Sequence, residues 1–175
     1  FHGLKVDGVE NLPAAAPFVM IANHASPVDA LVMAAILPGH LARRTYAIAA
    51  EDVLFNKPHR TAFSAYLANA LPMRRRRPRP GDLAALRARL VEEPCNFILF
   101  PEGARSRDGA LMPFKGGLGR MVAGTPVAVV PCWIDGAFEA LPPMRFWPRL
   151  VPIGFRIGKP MGFADGQSAI RYFSN

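Results

Sequence analysis

Short apolar runs of strand length are the feature of this chain that most restricts its fold. Residues 97–100 (Phe-Ile-Leu-Phe) and 127–130 (Val-Ala-Val-Val) carry no polar side chain. Such continuous runs are typical of strands that are covered on both faces. We therefore expect an α/β fold with a mixed, mostly parallel central sheet flanked by helices.

Segments with helical spacing alternate with predicted strands along the chain. The helices are predicted at residues 27–37, 59–68, 82–92 and 116–123, and the remaining strands at residues 4–6, 18–22, 46–49, 70–73 and 151–157. This alternation predicts an α/β sandwich. With 175 residues, 51% of them hydrophobic, the chain is expected to form a single domain over residues 1–175. Because it starts at Phe1, we expect a fragment of a longer protein.

The net charge of +8 is concentrated in one segment, since residues 71–90 contain seven arginines against one aspartate. The arginines at positions 74–79, interleaved with proline, would suit a nucleic-acid backbone. No stacking aromatic side chains accompany them, so we expect no nucleic-acid partner.

Several site types are disfavoured by composition and spacing. Cys95 and Cys132 have neither a disulfide framework nor metal-ligand spacing, which favours a reducing compartment, buried thiols and no metal. No run approaches the ~18 apolar residues of a transmembrane helix. The glycines of residues 116–119 lack the following Gly or Lys of dinucleotide-binding and P-loop motifs.

His24 and Asp29 form the first candidate site. His24 follows the predicted strand 18–22 and precedes a predicted helix, and ligands bind at such strand ends in α/β sheets. Histidine suits the removal of an alcohol proton at neutral pH, and a carboxylate can orient its ring. Ser26 and Asp29 also match a capping box, in which Asp29 would bind a backbone N–H. The two roles are compatible.

The same His-x4-Asp spacing occurs at His2 and Asp7. These two residues flank a predicted strand that would place their side chains on opposite faces. We interpret this second copy as chance.

Residues 100–107 form the second candidate segment. Gly103 permits a tight turn after the strand, and we expect Glu102, Arg105 and Arg107 to be exposed there. Guanidinium groups bind phosphate through forked hydrogen bonds. The alternative is a solvated charged hairpin.

Together, residues 23–29 and 100–107 resemble the two main signatures of the glycerolipid acyltransferases. The resemblance extends over about residues 4–160. It implies that His24 and Asp29 are catalytic. It also implies that Glu102, Gly103 and Arg105 bind the acceptor.

Two further segments resemble motifs of this family. Residues 70–75 are similar to its second motif, which implies that Arg75 contacts the acceptor phosphate. Asn69 stands where that motif usually begins with Gly, and the run of arginines leaves Arg74 as an alternative. Residues 130–134 resemble the fourth motif, a strand and turn lining the acyl site. Lys115, which follows the third motif, is a weaker phosphate ligand candidate.

The resemblance implies an O-acyltransferase that needs no bound cofactor. Its donor would be the thioester of acyl-CoA or acyl carrier protein, and its acceptor a lysophospholipid, with 1-acyl-sn-glycerol-3-phosphate expected. No G-x-S-x-G motif occurs, and neither cysteine lies near a histidine in sequence, which favours direct attack by the alcohol. A thioesterase-like hydrolase is the alternative, and another lysolipid acceptor stays open.

Members of this family commonly carry N-terminal membrane-binding helices, and we expect such a segment to be missing here. We expect a peripheral protein at the cytoplasmic face of the membrane. Anionic lipid would attract Arg74, Arg76, Arg77 and Arg79. The alternative is a loop that charge keeps soluble.

Overall fold

The computed structural model describes residues 3–50, 69–74, 80–145 and 147–163. These ranges contain a seven-stranded sheet. Its strands are β1 (Leu4–Asp7), β2 (Phe18–Ile21), β3 (Thr45–Ala50), β4 (Leu71–Met73), β5 (Asn96–Leu99), β6 (Ala128–Asp135) and β7 (Ile153–Ile157). The α-helices are α1 (Asp29–Ala35), α2 (Gly39–Ala42), α3 (Pro80–Glu92), α4 (Gly117–Val122) and α5 (Ala137–Ala140), and a 3-10 helix covers Val9–Asn11.

The sheet has the strand order β1-β7-β6-β2-β5-β3-β4. The five strands from β6 to β4 are parallel to one another. β7 pairs antiparallel with β6 and parallel with β1. The predicted mixed, mostly parallel sheet is confirmed. In the described part of the chain, no helix combines the length and apolar character needed to cross a bilayer.

Alternate residues of β2 enter two different cores. Phe18 and Met20 pack with residues of α1 on one face of the sheet, whereas Val19 and Ile21 pack with residues of α3 and α4 on the other. All four side chains are buried. The apolar run of β2 thus exists because helices cover both faces of this central strand.

Two predicted elements differ from the structure. The helix predicted at 27–37 is shorter in the structure, where it begins at Asp29 and ends at Ala35; before it, the Ser26 hydroxyl donates to the carbonyl of Leu141 (2.8 Å) and accepts the N–H of Val28 (3.3 Å). The turn predicted within residues 130–134 is wrong, since β6 continues to Asp135.

The position of Pro131 explains why β6 can contain a proline. It lies where β6 stops pairing with β2 and starts pairing with β7, so its missing N–H falls at an exchange of partners. The helix predicted at residues 59–68 lies outside the described residues. The other predicted elements agree with the structure to within two residues at each end, apart from the extension of β6.

Candidate active site

The two candidate segments meet at the carboxyl edge of the sheet. β2 and β5 are parallel neighbours, with Ile21 opposite Leu99, so the chain leaves both strands side by side. The Ser106 N–H donates to the His24 carbonyl (2.7 Å), and the His24 N–H donates to Glu102 Oε1 (2.6 Å). The parallel pairing therefore brings together residues that are 78 positions apart.

The imidazole of His24 is held on one nitrogen and on one face. Its Nδ1 lies 2.8 Å from Asp29 Oδ2, and its ring stacks on Phe100 with centroids 4.0 Å apart. An ionised carboxylate can only accept, so in a neutral imidazole bound in this way Nδ1 carries the proton and Nε2 keeps a lone pair. Nε2 has no hydrogen-bond partner among the described residues, and the side chain is 21% exposed. This arrangement suits a general base.

Asp29 combines both roles that its position predicted. Besides His24, its Oδ2 accepts the N–H groups of Ala25 and Ser26, each at 2.8 Å. The contact with Ser26 is the one expected of a capping-box carboxylate. Asp29 is 1% exposed, and in the described structure its Oδ1 has no hydrogen-bond partner. Asp29 Oδ2 therefore orients the imidazole of His24 and also shapes the loop that carries it.

Asn23 fastens this loop to β6, a role that the sequence did not reveal. Its Nδ2 donates to the carbonyl of Ile134 (2.9 Å), and its Oδ1 accepts the Ile134 N–H (2.8 Å). Asn23 thus pairs with Ile134 as a strand residue would. The contact spans 111 positions, so no local pattern signals it.

The predicted exposure of Glu102 is wrong. Its side chain is buried, with Oε1 accepting the N–H of His24 and Oε2 accepting the N–H of Met112 (2.8 Å). Hydrogen bonds to both oxygens compensate for the loss of water around the charge. The protein itself thus engages both oxygens, and Glu102 holds the backbone of the candidate base.

The other residues of this turn lie closer to solvent. Gly103 adopts a φ of +69°, as its tight turn requires, and an added Cβ would lie 2.7 Å from Lys115 Nζ. The side chain of Lys115 therefore lies over this turn, close to Gly103. Arg107 is exposed as predicted, whereas Arg105 is half-buried and so less exposed than predicted. The structure thus brings Gly103, Arg105 and Lys115 to one turn.

The second motif is only partly described. Arg74 directly follows β4, whereas Arg75, the predicted phosphate ligand, lies outside the described residues. The same holds for Arg76, Arg77 and Arg79.

Both cysteines behave as core thiols. Cys95 is buried and Cys132 is partly buried. Burial raises the pKa of Cys132 to about 12 and also raises the pKa of Cys95. Both thiols therefore stay protonated at neutral pH, which makes them poor nucleophiles. No cluster of three or more His, Cys, Asp or Glu side chains suited to a metal occurs in the described ranges.

Comparison with known proteins identifies the family to which this sequence is similar. A family model described as "Acyltransferase" matches residues 3–135, which include both candidate segments. The 1-acyl-sn-glycerol-3-phosphate acyltransferase of Limnanthes douglasii is 30% identical over 93% of this chain and 56% of its own length. The alpha enzyme of that name from Ovis aries is 29% identical over 74% of this chain and 45% of its own length. The chain spans about half the length of these relatives.

A solved structure has the same fold. The crystal structure of the 1-acyl-sn-glycerophosphate (LPA) acyltransferase PlsC from Thermotoga maritima superimposes with a TM-score of 0.74 and 28% identity. The match covers 98% of this chain and 67% of that one. Because the family model covers most of the chain and the sheet carries His24 and Glu102 at one edge, the chain belongs to the acyltransferase family.

Proposed function

We propose that this domain transfers a fatty acyl group from an acyl thioester to the free hydroxyl of 1-acyl-sn-glycerol-3-phosphate, which yields phosphatidate. The observation that carries the proposal is the pairing of His24 Nδ1 with buried Asp29, which leaves Nε2 available at a partly exposed edge. The names of the similar proteins support this acceptor.

In the proposed reaction, His24 Nε2 removes the proton of the acceptor hydroxyl while the hydroxyl oxygen attacks the thioester carbonyl carbon. Asp29 stabilises the imidazolium that forms. Collapse of the tetrahedral intermediate breaks the carbon–sulfur bond. The departing thiolate takes the proton from His24, which returns the imidazole to its neutral form. No covalent acyl-enzyme is needed, in keeping with the protonated state of both cysteines.

The acceptor phosphate would bind on the side of the site where basic residues gather. Arg105 follows β5, and Lys115 folds over the same turn. β4 lies two places from β5 in the sheet, a distance of about 10 Å, so Arg74 leaves the sheet at this same edge. A phosphate between these elements could receive forked hydrogen bonds from arginine. The phosphate-binding roles proposed for Arg105 and Lys115 would share this place, and the role of Arg75, which lies outside the described residues, is proposed from the sequence motif alone.

The direct test of the reaction is product analysis with each donor. The purified protein is incubated with acyl-CoA or acyl-carrier protein, with and without lysophosphatidate. We expect phosphatidate and free thiol in equal amounts, and only when the acceptor is present. Equal thiol release without the acceptor, accompanied by free fatty acid, would instead establish a hydrolase.

Changing Arg105 to alanine is expected to raise the KM for lysophosphatidate by tenfold or more, with little change in the donor KM. Loss of charge-assisted hydrogen bonds to the phosphate costs about 1.5–3 kcal/mol. Arg105→Lys should also bind poorly, because an ammonium cannot form the fork. Steady-state kinetics with each substrate varied in turn measures both constants. Arg107→Ala, on the exposed part of the same turn, is the control. An unchanged acceptor KM would contradict the assignment.

The arginines at positions 74, 76, 77 and 79 are proposed to bind anionic lipid, which would hold the domain at the membrane as a peripheral protein. Changing Arg76, Arg77 and Arg79 to glutamine should weaken vesicle binding by about 10²-fold, since each basic residue contributes about 1 kcal/mol. Sedimentation with anionic vesicles at low and high salt measures the effect. Binding that neither salt nor substitution alters would remove this role. A gel shift with DNA tests the nucleic-acid alternative.

A further inference from the structure

The loop of residues 141–150, between α5 and β7, exposes large apolar side chains. Met144 is 90% exposed, Trp147 is 82% exposed and Leu150 is 92% exposed. Elsewhere in the described ranges, the most exposed large hydrophobic side chain is Val9, at 54%. Large apolar side chains that are exposed together typically mark a site of interaction with a protein, a membrane or a ligand. The three side chains lie within seven consecutive positions, so they form one feature.

A hydrogen bond closes the loop at its base. The N–H of Arg149 donates to the carbonyl of Ala140 (2.7 Å), which brings the two ends of the loop together. Pro142, Pro143 and Pro148 restrict the backbone between these ends. Closed ends are typical of Ω-loops, which are frequently functional. The loop that displays the apolar side chains is therefore closed at its base.

The charge of this loop indicates the chemistry of its partner. Arg145 and Arg149 are exposed, and residues 141–150 contain no acidic side chain. Tryptophan is enriched at the level of lipid headgroups, and arginine is attracted by anionic lipid. Apolar side chains interleaved with arginine therefore suit an anionic bilayer surface better than a purely apolar partner surface.

The loop also lies beside the candidate base. The carbonyl of its first residue, Leu141, accepts a hydrogen bond from the Ser26 hydroxyl (2.8 Å), and Ser26 is two positions from His24. We propose that the 141–150 loop inserts Met144, Trp147 and Leu150 into the interfacial layer of an anionic bilayer. The choice of lipid over protein rests on the proposed function, because a lysolipid acceptor resides in the membrane.

Fluorescence can test the insertion directly, since the chain has two tryptophans. Trp133→Phe leaves Trp147 as the reporter. Vesicles of phosphatidylcholine and phosphatidylglycerol should shift its emission to shorter wavelength, and lipids brominated in their acyl chains should quench it. The matched variant Trp147→Phe should lose the shift. Unchanged Trp147 emission on vesicles that do sediment the protein would overturn the proposal.

A triple variant tests whether the insertion holds the domain on the bilayer. Met144→Ser, Trp147→Ser and Leu150→Ser together should weaken vesicle binding by at least about tenfold, and this loss should persist at high salt. The control pair Val9→Ser and Val91→Ser removes exposed apolar side chains from other elements and should bind vesicles like the wild type. Vesicle binding by the triple variant as strong as that of the wild type would overturn the proposal. So would the finding that the wild type forms a dimer and that only the triple variant is monomeric.

Activity on a water-soluble, short-chain lysophosphatidate separates this inference from the proposed function. The triple variant should retain that activity, because none of its changed residues belongs to the candidate active site. An inactive wild-type protein would count against the proposed function and would leave the vesicle result to be judged by itself.

Discussion

Replacing His24 with alanine is expected to reduce kcat by about 10²- to 10⁴-fold, the usual contribution of a general acid–base group. No other described side chain offers an imidazole nitrogen at this edge of the sheet, so the acceptor hydroxyl would have to attack without a base. The side chain is only partly buried, and the fold should survive its removal. Turnover at saturating substrates, together with circular dichroism and thermal unfolding, measures both effects.

Two other histidines supply controls for this variant. His40 lies in α2 and is exposed, and His2 belongs to the second copy of the sequence pattern. His40→Ala and His2→Ala should both turn over like the wild type. Near-normal kcat in His24→Ala would end the proposal that this imidazole is the base.

Asp29→Asn is expected to lower kcat by about 10²-fold or more and also to destabilise the domain. The carboxylate stabilises the imidazolium, which a neutral amide cannot do. Its Oδ2 also accepts two backbone N–H groups, and hydrogen bonds to a charged acceptor are about 1 kcal/mol stronger than those to a neutral one. Urea unfolding gives the loss of stability, and kcat is then expressed per folded molecule.

The control for this variant is Asp7→Asn, which changes the carboxylate of the second His-x4-Asp copy. Asp7 is exposed on β1, at the far end of the sheet order from β4. The Asp7→Asn variant should have the kcat and the free energy of unfolding of the wild type. Full activity in folded Asp29→Asn would show that Asp29 only shapes the loop, which is the capping role that its spacing also predicted.

The parts of this protein that could be predicted depend on short stretches of chain. The apolar runs of β2 and β5 alternate between two cores, and this double burial leaves a direct mark on the sequence. His24 and Asp29 are five residues apart on one turn, so their meeting required only a correct strand end and turn. Both predictions therefore hold in the structure.

The parts that escaped prediction depend on distant contacts. A glutamate on a turn is ordinarily exposed, and only the N–H groups of His24 and Met112 make burial of Glu102 favourable. Asn23 and Ile134 likewise pair across most of the chain. In the 141–150 loop, the prolines mark an irregular segment, but the exposure of Met144 and Leu150 is visible only once the sheet is assembled.

The burial of Glu102 changes how related sequences should be interpreted. A relative that had lost its histidine would still need an acceptor for the two backbone N–H groups that Glu102 satisfies. Loss of this carboxylate would leave two loops without their shared support, whether or not the protein catalyses anything. Retention of glutamate at this position in an inactive homologue therefore records the survival of the architecture, and only the imidazole records the survival of the chemistry.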